Sequence, residues 1–167
     1  MFIGAIDAYK LALEELLKLI RRTPLWNYVF IGPVGECDPS TEISQFIELT
    51  NTSFLGTRPY AELPSYLAHA NVALLPLRLN EYTKHMYPMK FFEYLASGCP
   101  VVASSIPSLI DHSDVATLCH PTADSFEESI TAVLQGDCPD LQLRLARAEK
   151  NTYVRRTMDM LSHLPIL

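Results

Sequence analysis

No Cys-x-x-Cys pair occurs among the four cysteines, Cys37, Cys99, Cys119 and Cys138. Their scatter suggests neither a zinc site nor a disulfide framework, and a reducing compartment suits the chain. No apolar run approaches the ~20 residues that a membrane helix needs. The opening MFIGAIDAYK lacks the positive region and cleavage site of a secretory leader. Basic residues are the scarcer sign, 13 against 19 acidic, for a net charge of −6. Broad contact with nucleic acid needs a basic face, so none is expected. A small anion needs only a local cluster of donors, and the charge balance does not exclude that. Several catalytic signatures are also missing: Gly-x-Ser-x-Gly, the Walker A loop, Gly-x-Gly-x-x-Gly, His-Glu-x-x-His and Asp-x-Asp. Metal held by paired carboxylates is therefore not expected. Asp111-His112-Ser113 has catalytic residue types, but a triad is assembled in space and not by sequence adjacency.

What remains is 167 residues, 49% hydrophobic and 19% charged. That is the size and composition of one folded domain, 1–167. Short apolar runs alternate with helical patterns. Strands are expected at Phe2–Ile6, Trp26–Ile31, Thr52–Leu55, Val72–Leu75, Val101–Ala103 and Val115–Cys119. A helix over Lys10–Arg22 follows from its polar stripe, Lys10, Glu14, Glu15, Lys18, Arg21 and Arg22, opposite leucines and Ile20. Further helices are expected after Ser40 through Glu48, within Pro59–Ala70, at Met89–Ser97, Ser125–Leu134 and Leu141–Leu161, with one turn at Ile106–Asp111. Strands that are apolar throughout and alternate with helices imply a parallel sheet covered on both faces. The expected fold is α/β: a doubly wound, Rossmann-like six-stranded sheet in the order 3-2-1-4-5-6.

In that order the winding reverses between the first and fourth strands, and a ligand belongs at their carboxyl ends. The first strand ends in Gly4-Ala5-Ile6-Asp7. The fourth ends in the mostly polar segment Pro76–Tyr87, read as a loop long enough to be functional. The next helix opens at Pro88, so the N–H groups of Met89 and Lys90 offer an anion site. Lys84, His85, Lys90, Arg58 and Arg78 surround it. Each could equally be solvated surface charge. Glu93 also has two readings. It could pair locally with Lys90 at i, i+3, or it could face the crevice and accept hydrogen bonds from sugar hydroxyls. A buried carboxylate needs a partner or an open crevice, and the crevice is the expectation.

The segment Pro88-Met89-Lys90-Phe91-Phe92-Glu93-Tyr94-Leu95-Ala96-Ser97-Gly98-Cys99-Pro100-Val101-Val102-Ala103 resembles the signature of retaining glycosyltransferases of the GT-B fold, family 4 type. Phe2–Asp7, Phe54–Tyr60, Leu63–Leu67 and Asn80–Thr83 agree with it in order. The resemblance covers one half of such an enzyme, the C-terminal domain that holds the donor nucleotide-sugar. It implies that Glu93 holds the donor ribose, that Gly4 lets the first strand approach the phosphates, and that Gly56–Arg58 lies beside the base. It also implies a missing N-terminal, acceptor-binding domain as partner. The sequence departs from the family's paired acids: eight residues before Glu93 stands His85, and the nearest upstream acid is Glu81. Either could meet the sugar, and Lys84 or Lys90 could supply charge to the phosphates. No nucleophile is nominated.

The resulting expectation is a hexosyltransferase donor domain. It would take a UDP- or GDP-linked sugar as substrate, need no cofactor, and act on a saccharide or lipid-linked acceptor in polysaccharide biosynthesis. Its expected place is the cytoplasm, with peripheral contact at the inner membrane face through the whole enzyme. The alternative is a non-catalytic nucleotide or sugar-phosphate binding module.

Overall fold

The computed structural model describes residues 1–163. Its strands are β1 Phe2–Ile3, β2 Tyr28–Ile31, β3 Thr52–Phe54, β4 Ala73–Leu75, β5 Val101–Ser104 and β6 Thr117–Cys119. Its helices are α1 Leu13–Arg22, α2 Ser44–Ile47, α3 Leu63–Leu67, α4 Glu81–Lys84, α5 Met89–Ala96, α6 Ala123–Leu134, α7 Leu141–Lys150 and α8 Tyr153–Ser162. Two 3-10 turns, Tyr60–Glu62 and Pro107–His112, complete the set. All strand pairing within the named strands is parallel.

The strands form two three-stranded sheets, β1-β2-β3 and β4-β5-β6, and not one continuous six-stranded sheet. The two abut in the expected order. Two bonds join them at Met1, whose amino group donates to the Val72 carbonyl at 2.7 Å and whose carbonyl accepts from Leu74 N–H at 2.8 Å, and no ladder continues beyond it. The reason lies in two residues. Continuing that register would bring the amide of residue 76 to the Ile3 carbonyl, but residue 76 is proline and has no N–H. The buried Tyr94 hydroxyl takes over both backbone groups of Ile3: it accepts from Ile3 N–H at 2.7 Å and donates to the Ile3 carbonyl at 3.1 Å.

Other boundaries shift for local reasons. The first strand stops at Ile3 because Gly4 turns with φ of +150°. The helix begins at Leu13 and not at Lys10, since Lys10 and Leu11 N–H both turn back on the Asp7 carbonyl. Ser40 caps nothing; it hydrogen-bonds Asp38, and the second helix is the single turn Ser44–Ile47. Pro76–Tyr87 is not all loop. Asn80 and Thr83 form a reciprocal capping box that starts α4. The Leu141–Leu161 span is two helices, broken where Asn151 ends α7 and the Thr152 hydroxyl caps α8 through Arg155 N–H.

The core lies on both sides of the strands. On α1 the buried residues Leu16, Leu19 and Ile20 share one face, while Arg21 and Arg22 close its last turn. Each such side chain contributes roughly 1.5–3 kcal/mol on burial. Phe30 and Phe54 stack at 4.7 Å between β2 and β3, with Phe46 edge-on to both. On α5, Phe91, Phe92, Tyr94 and Leu95 are buried, which leaves Lys90 and Glu93 on the face with access to solvent.

Candidate functional site

The carboxyl ends of β1, β2 and β3 each lead to a glycine, and the three lie side by side. Gly4 N–H donates to the Ile31 carbonyl at 2.8 Å, and Gly32 N–H to the Gly56 carbonyl at 2.9 Å. At Gly32, φ is +140° and a Cβ would stand 2.1 Å from the Gly4 carbonyl oxygen, so only glycine fits. At Gly4 a Cβ would meet the Phe2 ring at 3.3 Å. The result is a floor of closely packed, bare backbone at the carboxyl ends of the three strands.

The rim is built by two segments far apart in sequence. The chain leaving β3 runs through the exposed Arg58 to Tyr60, whose ring centre lies 5.4 Å from the Lys90 ammonium. That brings the exit of β3 to the first turn of α5. Lys90 Nζ donates to Glu93 Oε2 at 2.7 Å, and the two side chains keep 33% and 25% of their exposure. Glu93 therefore lies against Lys90, the local pairing, at a half-buried position; Oε1 has no partner in that pair. Pro88 makes no side-chain cap, and the first hydrogen-bonded amide of α5 is Phe91, which reaches the Pro88 carbonyl. The amides of Met89 and Lys90 are thus left without intrahelical acceptors.

The other candidates fall together elsewhere. The segments after β1 and β4 are zipped to each other. Arg78 N–H reaches the Lys10 carbonyl at 2.8 Å, Arg78 Nη1 the Ala8 carbonyl at 3.1 Å, and Asn80 Nδ2 the Tyr9 carbonyl at 2.7 Å. The Tyr9 and Tyr82 rings meet edge to face at 4.8 Å. Glu81 and Lys84 form an exposed pair at 3.5 Å and share a hollow of about 300 Å³ with Ser105 and Pro107 at the exit of β5. His85, also exposed, ends α4. Gly4, Lys90 and Glu93, with Arg58 near Tyr60, thus belong to the β1–β3 side, while Glu81, Lys84 and His85 belong to α4.

Sequence reasoning missed one pair. Asp7 is fully buried. It accepts from Cys37 N–H at 3.1 Å, and its Oδ2 stands 2.9 Å from the Lys10 ammonium, an ion pair without hydrogen-bond alignment. Burial by itself would raise the Asp7 carboxyl; Lys10 and the backbone amides around Cys37 outweigh it and hold the group below the usual carboxylate range. The signal was an acid and a lysine three apart between a strand-ending glycine and a helix. Lys10 was read only as part of the helix stripe.

His112, from the triad-like neighbours, is structural. Its Nδ1 faces Arg147 Nη1 at 2.6 Å, and its ring packs on Phe91 and Phe92. Burial pushes the Cys119 thiol up to about 11 and raises the Cys99 thiol, so neither is an activated nucleophile. Among the described residues no group of three His, Cys, Asp or Glu could hold a metal ion. The arrangement offers amide N–H groups and ammoniums that suit phosphate oxygens, and a carboxylate that suits a diol.

Residues 1–136 match the family model described as Glycosyl transferases group 1. TuaH of Bacillus subtilis (strain 168), named for teichuronic acid biosynthesis as a glycosyltransferase, is 28% identical over 107 residues, which is 64% of this chain and 26% of TuaH. HepE of Anabaena, solved in complex with UDP-glucose, superposes with a TM-score of 0.73 at 19% identity, over 98% of this chain and 49% of HepE. Sucrose-phosphate synthase of Thermosynechococcus elongatus gives 0.71 at 17% identity, over 96% and 44%. The chain thus spans about half of these solved structures and about a quarter of TuaH. With the family model covering most of its length, the chain belongs to the glycosyl transferases group 1 family, as a domain of the GT-B type.

Proposed function

We propose that this chain is the donor-binding half of a retaining hexosyltransferase of family 4 type, holding a nucleoside-diphosphate sugar at the carboxyl ends of β1 and β4. One observation supports this most: the exit of β3 and the first turn of α5 meet at Tyr60 and Lys90 beside a floor of glycine backbone. The Met89 and Lys90 amides and the Lys90 ammonium face developing charge on the diphosphate leaving group, as electrostatic catalysis requires. Arg58, exposed on the segment that leads to Tyr60, can add to it, whereas Lys84 stays with Glu81 on α4. Glu93 accepts from the ribose hydroxyls. The donor is the UDP-linked or GDP-linked sugar itself, and no cofactor is needed. HepE, bound to UDP-glucose in its solved structure, shares this fold and supports the choice of ligand class.

A second domain supplies the acceptor site and the other wall that excludes water. The acceptor is a saccharide or lipid-linked sugar, met through the whole enzyme at a membrane surface. No helix among the described residues is long and apolar enough to cross a membrane. The test is calorimetric titration of the chain with UDP, GDP and ADP, beside a transfer assay with labelled nucleotide-sugar. Saturable binding of one nucleotide without sugar transfer is expected. Indifference to all three nucleotides would overturn the proposal.

A further inference from the structure

The seam between β1 and β4 is where the two sheets meet, and the protein closes it at Met1 but keeps it open from Ile3 onwards. Met1 is joined to the β4 segment by two bonds, its amino group to the Val72 carbonyl at 2.7 Å and Leu74 N–H to its carbonyl at 2.8 Å. One residue pair further on, Tyr94 Oη occupies both backbone groups of Ile3, and Pro76 offers no donor. The Pro76 carbonyl turns instead to Ala12 N–H at 2.9 Å. Ile3 is the last residue of β1 before Gly4, and Tyr94 directly follows Glu93 on α5. A single fully buried hydroxyl therefore fixes the exit of β1 against the helix that carries Lys90 and Glu93.

We infer that Tyr94 is a positioning residue for the nucleoside diphosphate: its hydroxyl sets the spacing between the Gly4 turn and the first turn of α5. This rests on the donor-site reading above. The chemistry suits the task. A neutral phenol has one donor and an acceptor, and here both are used on one residue's N–H and C=O. Burial raises the phenol far above its ordinary range, so it stays neutral and keeps both roles at any working pH. Phenylalanine would fill the same volume but leave a buried amide and carbonyl unpaired. The seam would then gain by closing, drawing β1 towards β4 and away from its set distance to α5.

The test compares UDP affinity and thermal melting of the 167-residue chain with those of Tyr94→Phe, Tyr94→Phe/Pro76→Ala and the control Phe126→Leu. Phe126 is fully buried on α6, away from the candidate site. Tyr94→Phe is expected to lose at least fivefold in affinity. The control, titrated at a temperature where it is equally folded, should stay within twofold of the parent. In the double variant residue 76 regains an N–H for the Ile3 carbonyl. It should recover melting temperature but not affinity, a split that a merely structural role would not give. Equal affinity of Tyr94→Phe and parent would overturn the inference while leaving the donor site standing, and so would recovery of affinity together with stability. Failure of both Tyr94 variants to fold would also overturn it, since the hydroxyl would then serve folding itself. If the parent binds none of UDP, GDP or ADP, the donor-site reading fails first and this inference falls with it.

Discussion

The Lys90 ammonium and the Glu93 carboxylate stand 2.7 Å apart, at the first turn of α5. Part-exposed pairs of this kind, three apart on a helix, contribute only ~0.2–0.5 kcal/mol. Hydrogen bonds to a charged group are worth roughly 1.5–3 kcal/mol each. A ribose diol can therefore displace Lys90 from Glu93 at small cost and release the ammonium to a phosphate. Glu93→Gln should lower UDP affinity about tenfold or more, and tenfold is ~1.4 kcal/mol, close to the low end for one such bond. Glu93→Ala should lower it further, and thermal melts of both should stay close to the parent. Unchanged affinity with a collapsed melt would make Glu93 a structural residue.

Gly32 and Gly56 separate two costs of replacing glycine. Gly32→Ala would drive a methyl to 2.1 Å from the Gly4 carbonyl oxygen, and the backbone must move. Gly56→Ala meets nothing within 4 Å and bears only its φ of +66°, a strain of ~1–2 kcal/mol. Urea denaturation should show Gly56→Ala folded and mildly weakened, and Gly32→Ala weakened well beyond it. Equal losses would mean that the glycine floor is not closely packed.

Asp7 and Lys10 form the most buried ion pair among the described residues. Lys10→Met leaves the carboxylate buried without its cation and should cost about 3 kcal/mol. Adding Asp7→Asn should restore much of that loss. The Asp7 carboxyl is held low in the folded state, so its stabilisation is complete above its ordinary pKa and is lost as pH falls through the folded value. A double-mutant cycle by chemical denaturation measures the coupling; additive losses would contradict the pair.

His112 gives a separate pH dependence. Burial, with Arg147 beside it, lowers its pKa from the ordinary 6.5; Asp114 and Asp111 act weakly the other way. The unfolded chain therefore takes up the proton first as pH falls. The contribution is fully present above about 6.5 and is lost as pH drops through the lower folded value. His112→Asn keeps an acceptor for Arg147 and removes the titration. Melting temperature should fall between pH 7 and 5 in the parent more than in this variant; parallel curves would exclude His112 as the cause.

The alternation of apolar runs showed all six strands and their order within each sheet, because most of them are apolar throughout, but not the break into two sheets. The seam was illegible for a different reason. Pro76 appeared as a loop residue, and Tyr94 as one more apolar position on α5; their meeting at Ile3 depends on tertiary placement. Asn80–Thr83 was noticed as a resemblance, while its capping chemistry, which turns loop into α4, went unread. Glu93 was legible as a lone acid on an apolar helix. Its pairing with Lys90 follows from i, i+3 spacing. What faces Lys90 across the rim, Tyr60, comes from a segment 30 residues upstream and leaves no mark in local sequence.

On the donor-site proposal, a nucleotide binds across the glycine floor and the first turn of α5. Backbone amide shifts of the isotope-labelled chain during a UDP titration test it most directly. The largest changes should fall at Gly4–Asp7, Gly56–Tyr60 and Met89–Glu93, saturating together. Changes confined to the hollow at the opposite, amino ends of the strands, lined by Trp26, His69 and Leu134, would contradict the account, as would no changes at all.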